Sequence, residues 1–168
     1  PCGTVSLGES RVTAIEDSRT LALADGRKIR LAGIEWAVPA VAARALRSDL
    51  ALNRQVTLKA PETTEPDRYG RIHAFPSVSG SETPIQYGLL GRGLVLVSGR
   101  VSDKACADAL RTFEKQARDQ GFGAFSAGAA GAHKADRHGA ILNHLGRFAV
   151  VEGKVLSRSV GSPGPKGY

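Results

Sequence analysis

Methionine is absent from the 168 residues, and the chain opens Pro1-Cys2-Gly3. A primary translation product starts with Met, so the opening predicts a trimmed chain, either a mature form that has lost a signal peptide or a cut one. Cysteine is scarce, with Cys2 and Cys106 alone. That excludes a disulfide-dense scaffold and any Cys-x-x-Cys motif. An even pair allows one disulfide, which would close a loop of about 100 residues in an oxidising compartment. Two separate thiols, one packed in a helix, is the other reading. No apolar run approaches the roughly 20 residues that span a bilayer, which excludes a transmembrane helix. A Gly-rich phosphate loop of Walker type is also missing.

What is present is ordinary for a globular chain: 42% hydrophobic and 23% charged residues. The net charge is +7, which favours anionic partners. Residues 127–168 carry six basic and two acidic residues, against 17 and 14 in residues 1–126. The tail is the more basic part per residue. The four histidines do not form a zinc pattern. His138 and His144 are six apart and share no helix face, so His73, His133, His138 and His144 are expected to be solvated or satisfied histidines.

Val12-Thr13-Ala14-Ile15 and Thr20 to Ala24 alternate as strands. Asp25-Gly26 then predicts a tight type I′ hairpin into Arg27 to Leu31. Gly33-Ile34-Glu35-Trp36 ends this strand region. An apolar stripe at helical spacing predicts a helix over 39–52, with Pro39 in its first turn. Further strands fit 56–59, 72–75 and 94–97. A short helix fits 85–90 and a longer one 103–120, with Ser102 as its cap and Gly121 as its stop. Residues 127–135 form an Ala/Gly-rich linker. Residues 136–168 form a basic extension with a short helix and β structure over 147–156. Five short strands with a helix after the third predict an OB-type Greek-key barrel over residues 1–126.

Five segments then stand in a telling order: Ala14 to Leu21, Ile29 to Glu35, Asp67-Arg68-Tyr69-Gly70-Arg71, Leu89 to Leu94, and a last helix ending Gly121-Phe122-Gly123-Ala124-Phe125-Ser126. In this order and spacing, over residues 11–126, the chain resembles the staphylococcal nuclease-like (thermonuclease) family. The resemblance implies an OB barrel with three helices. It also implies calcium-dependent cleavage of DNA and RNA phosphodiesters, in which cations offset the charge that builds on the attacked phosphorus.

Carried over by residue, the implied site is mixed. Arg30 and Arg71 fall on the family's two arginine positions, where a guanidinium forks onto phosphate oxygens. Tyr69 keeps its motif place. The first calcium carboxylate falls on Arg19, and the second on Glu35. The general-base glutamate falls on Val38, which cannot accept a proton. Asp17, two residues before Arg19 and on the same side if the strand alternation continues, is an acid placed to substitute. One glutamate beside an arginine is a poor calcium set. The pattern predicts that Arg19 sits in the metal position and pairs with Glu35. The family's aromatic pair falls near Gly99 and Val101, which erodes base stacking. Trp36 is expected to pack over the barrel mouth, with stacking on a ligand as the alternative.

These positions imply a catalytically impaired nuclease-like protein that binds nucleic acid or another polyanion through Arg30 and Arg71, needing no cofactor. A second reading is an active divalent-dependent phosphodiesterase that uses Glu35 with Asp17 or Glu16, and calcium. A third is a protein-interaction module with the extension as its partner surface; self-association through that extension is a further partner expectation, and no membrane span is expected. The expected location is extracytoplasmic, periplasmic or secreted.

Overall fold

The computed structural model describes residues 2–126, 133–143, 145–146 and 149–157. The chain divides into two compact units, Pro1–Ala130 and Gly131–Tyr168. No described helix is long and apolar enough to cross a membrane.

The first unit is mixed α/β. Its strands are β1 (Val5–Asp17), β2 (Thr20–Leu23), β3 (Lys28–Leu31), β4 (Ile34–Trp36), β5 (Gln55–Ala60), β6 (Arg71–Val78) and β7 (Val95–Val97). Five of them close into a ring in the order β1-β2-β3-β6-β5, with β3 and β6 parallel and the other pairs antiparallel. The 13-residue β1 closes the ring because it pairs with both β2 and β5. Its register slips between Ser6 and Glu9, between Val12 and Ala14, and between Ile15 and Asp17. Such bulges coil a strand enough to serve two neighbours.

Period-2 side chains fill the ring. Val12, Leu21, Ile29, Leu31, Val56 and Leu58 are all buried inside it. Leu46, Leu89, Leu90 and Leu110 close the same core from the helices. Gln86 is fully buried in α2 (Ile85–Gly91). Its Nε2 donates to the Ala32 and Ala74 carbonyls, 3.2 and 3.1 Å away, where the β3–β6 pairing ends.

Several local details differ from the sequence expectation. The β2–β3 loop spans four residues, and only Gly26, at φ +86°, has positive φ. Asp25 instead accepts the Arg27 N–H at 3.0 Å, a side-chain turn that keeps Asp25 out of the left-handed region a type I′ turn needs. The helix expected over 39–52 is α1 (Pro39–Ala45) followed by a π-turn at Leu46–Leu50. There the Ala51 N–H reaches back to the Leu46 carbonyl at 3.1 Å. α3 (Lys104–Asp119) is capped by Asp103, whose Oδ1 accepts the Cys106 N–H at 2.6 Å, and not by Ser102. The Ser102 hydroxyl bonds Glu62 instead. Cys2 and Cys106 stand at disulfide distance, 2.01 Å between sulfurs, tying the first residues to α3.

In the second unit, β8 (His133–Lys134) pairs in parallel with β9 (Val151–Glu152), and α4 (His138–Leu142) lies between them in sequence. None of its described residues is buried. Of the linker expected over 127–135, residues 127–132 lie outside the described residues and His133–Lys134 form β8; His144, Arg147, Phe148 and the terminal turn-like segment also lie outside them.

Candidate functional site

The β3–β6 pairing lays out the site. Arg30 stands opposite His73 and Lys28 opposite Arg71. Side chains alternate across a strand, so Ile29, Leu31, Ile72 and Ala74 point inward. Lys28, Arg30, Arg71 and His73 then share the outward face.

The β1–β2 turn brings Arg19 to one end of this face. Asp17 shapes that turn: its Oδ1 accepts the Arg19 N–H at 2.6 Å, and its Oδ2 accepts the Thr20 hydroxyl at 2.8 Å. Asp17 and Arg19 are therefore joined through a turn, and not as alternate residues of one strand. Arg30 donates from Nη1 to Thr20 Oγ1 at 3.2 Å and to Asp17 Oδ2 at 3.4 Å. Both contacts are long for a charge-assisted bond.

Glu35 and Trp36 arrive on β4, which pairs only with β7 (Ile34 opposite Val97, Trp36 opposite Val95). Gly33 makes the turn into β4. Its φ of +74° favours glycine, and a Cβ there would press on Leu110 Cδ1 at 2.9 Å. Arg19 Nη1 donates to Glu35 Oε2 at 2.5 Å and to the Ile34 carbonyl at 2.6 Å. Ser98 Oγ donates to Glu35 Oε1 at 3.1 Å. Arg19 is 8% exposed, and its buried Nε finds no described partner. The Trp36 ring packs against both guanidiniums, 4.7 Å from Arg19 Cζ and 5.9 Å from Arg30 Cζ. Burial, and after it the Arg19 charge, pulls the Arg30 guanidinium below its ordinary pKa; Arg71 adds to this and Asp17 opposes it.

A second cluster closes on Asp67. Its Oδ1 accepts the Tyr69 and Arg71 N–H groups at 2.9 and 3.0 Å. Its Oδ2 accepts Arg71 Nε and Nη2 at 2.9 and 2.7 Å. Arg71 thus holds the Asp67 carboxyl well below the usual carboxylate range, and Asp67 pushes Arg71 up in return. Tyr69 is 61% exposed and lies against Arg68 and Arg71, 4.8 Å from each Cζ.

The expected residues therefore meet in two groups: Asp17, Arg19, Arg30, Glu35 and Trp36 in one, Tyr69 and Arg71 in the other. Val38 packs on the core at the start of α1, and Val101 is likewise apolar packing. Sequence reasoning left Thr20, Ser98 and the clamping role of Asp67 unassigned. Only Asp67 had a local signal, since an Asp two and four residues before N–H groups it can reach is an Asx-turn pattern. Thr20 bonds Asp17 within the turn, but its contact with Arg30, like that of Ser98 with Glu35, joins separate elements and no local spacing reveals it.

Calcium is the ion that the resemblance implies. Both Glu35 oxygens and both Asp17 oxygens already accept hydrogen bonds, from guanidinium, backbone and hydroxyl donors. The described residues hold no group of three His, Cys, Asp or Glu that could bind a metal. Since calcium takes six to eight oxygens, the donor set does not fit it. A cleft of about 400 Å³ lies elsewhere, beside Cys2, Lys59 and Tyr87, and shares no residue with the arginine clusters. No protein-family model matches the chain, and no curated protein matches it.

Proposed function

We propose that the first unit is a staphylococcal nuclease-like OB barrel that has lost hydrolysis and binds nucleic acid or another polyanion through Arg30 and Arg71. The observation that carries this is the state of Arg30. Its side chain is only 12% exposed, it lies in the field of Arg19 and Arg71, and its one acidic contact is long. A guanidinium so placed gains from a phosphate oxygen, which offers charge and two acceptors. Arg71 keeps its Nη1 beyond the Asp67 clamp. Hydrolysis would need a base for water, and the acids nearest Arg30 are hydrogen-bonded to cations while Val38 offers no oxygen. The buried Cys2–Cys106 pair supports an extracytoplasmic location, because such bonds persist in oxidising compartments.

The test is fluorescence anisotropy with a labelled single strand, with calcium and with chelator, across a salt series. Binding should not need calcium and should weaken steeply with salt, about 0.7 log units per phosphate neutralised for each tenfold rise. Arg30→Ala should cost about tenfold or more, the effect of a lost charge-assisted bond. Calcium-dependent cleavage that Arg71→Ala abolishes would overturn the loss of hydrolysis and restore the phosphodiesterase reading. A second reading has its own observation: Leu142, Leu145, Val155 and Leu156 are all more than half exposed in the second unit. An interaction or self-association role for that unit would show as complex formation that salt leaves unchanged.

A further inference from the structure

Trp36 is the part of the site that phosphate recognition alone does not require. It is the single tryptophan of the chain. It is 51% exposed, although an indole is among the side chains that gain most from burial. It is also held in place. Its backbone pairs with Val95 on β7, the Val38 N–H reaches the Leu94 carbonyl at 3.1 Å, and α1 starts at Pro39. The ring packs against the Arg19 and Arg30 guanidiniums, 4.7 and 5.9 Å from its centre, and the rest of it is open to solvent. Arg19 cannot swing away, since Glu35 and the Ile34 carbonyl hold it. The result is a flat, rigid, half-exposed ring beside a cation. Arg30 makes its hydrogen bonds from Nη1 alone, so its Nε and Nη2 donate to no described group.

We infer that Trp36 and Arg30 together take one nucleotide of a single strand, its base stacked on the indole and its phosphate on the unused Arg30 donors. This rests on the polyanion reading of the site. It adds a ligand class, because it requires a base that is free of its own stack. A duplex keeps its bases stacked, and polyphosphate has none. Stacking on an aromatic ring is tolerant of base identity, so the site selects unpaired bases and not a sequence.

The experiment compares an oligothymidylate with an abasic strand of the same length, using the full chain at fixed salt. The single indole reports directly: thymidylate should quench Trp36 fluorescence and the abasic strand should not. By anisotropy, thymidylate should bind about tenfold or more tighter than the abasic strand. Trp36→Ala should erase that preference, and Trp36→Phe should keep part of it, since a smaller ring still stacks. Circular dichroism checks that both variants fold, as an exposed ring is not needed for the core. An unchanged preference in Trp36→Ala would overturn the base platform while leaving polyanion binding intact. If neither strand binds the parent chain, both this inference and the reading beneath it fail.

Discussion

Arg19 and Glu35 meet at 2.5 Å, with the Arg19 side chain 10% exposed and the Glu35 side chain 27% exposed. The pair sets a cation against an anion in a mostly buried place, so it is neutral without any added ion. Removing one partner strands the other. Arg19→Ala leaves Glu35 partly buried with Ser98 as its one hydrogen-bond donor. The expected loss is about 2–4 kcal/mol, toward the lower part of the range for broken buried pairs because Glu35 keeps some solvent. The double variant Arg19→Leu/Glu35→Leu should lose less than Arg19→Ala, because no unpaired charge remains. Urea unfolding of both variants checks the ordering, and a more stable Arg19→Ala single would refute it.

Much of this architecture is legible in the sequence where period and burial coincide. β5 alternates buried Val56, Leu58 and Ala60 with outward residues, and α3 repeats small and apolar residues on one face. β1 was harder, because Val5 to Arg11 carries Gly8, Glu9 and Arg11 and pairs through backbone with little buried side chain. The cap of α3 slipped by one residue because Ser102 and Asp103 both suit the position, and only their distant partners decide. The break of α1 at Leu46 was invisible because a π-turn keeps apolar residues inward on both sides. In the site, Arg19 and Glu35 were legible through motif position. The grip of Trp36 on two guanidiniums was not, since it joins a hairpin turn, β3 and β4 only after the ring closes.

The disulfide-distance pair should matter more than any single core contact. It spans 104 residues of sequence, and in the chain-entropy model a loop near 100 residues contributes about 4–5 kcal/mol. Cys106→Ser and Cys2→Ser should therefore destabilise alike, lowering Tm by roughly 10–20 °C. Both sulfurs belong to buried residues. Reductant should thus act slowly on the native protein and quickly once it opens. Calorimetry of both variants, and of the parent with and without reductant, checks this. A Tm unchanged by reduction would mean that α3 and the ring hold the first residues without the bond.

Asp67 sets the acid limit of the site. Its folded pKa lies well below the usual carboxylate value because Arg71 donates to it twice and two backbone N–H groups add to this. The unfolded chain, with Asp near about 3.9, takes up this proton first as pH falls. The native state then binds fewer protons than the unfolded state, so stability is present above about pH 4 and drains away as pH falls below it. Asp67→Asn cannot make that contribution at any pH. It should lower the urea midpoint near neutrality and flatten the acid limb of the stability curve. The flattening stays partial, because Asp25 is held at about 2 by its hydrogen bond from Arg27 and titrates in the same window. Asp67→Asn should also release Arg71 Nε and Nη2, so strand binding at neutral pH should tighten even as the fold weakens. Urea midpoints for parent and variant from neutral pH down to about pH 2.5 test the first part, where the slope is set by proton uptake. An acid limb equally steep in Asp67→Asn would place the acid sensitivity elsewhere, and unchanged strand affinity would mean that Arg71 meets its ligand through Nη1 alone.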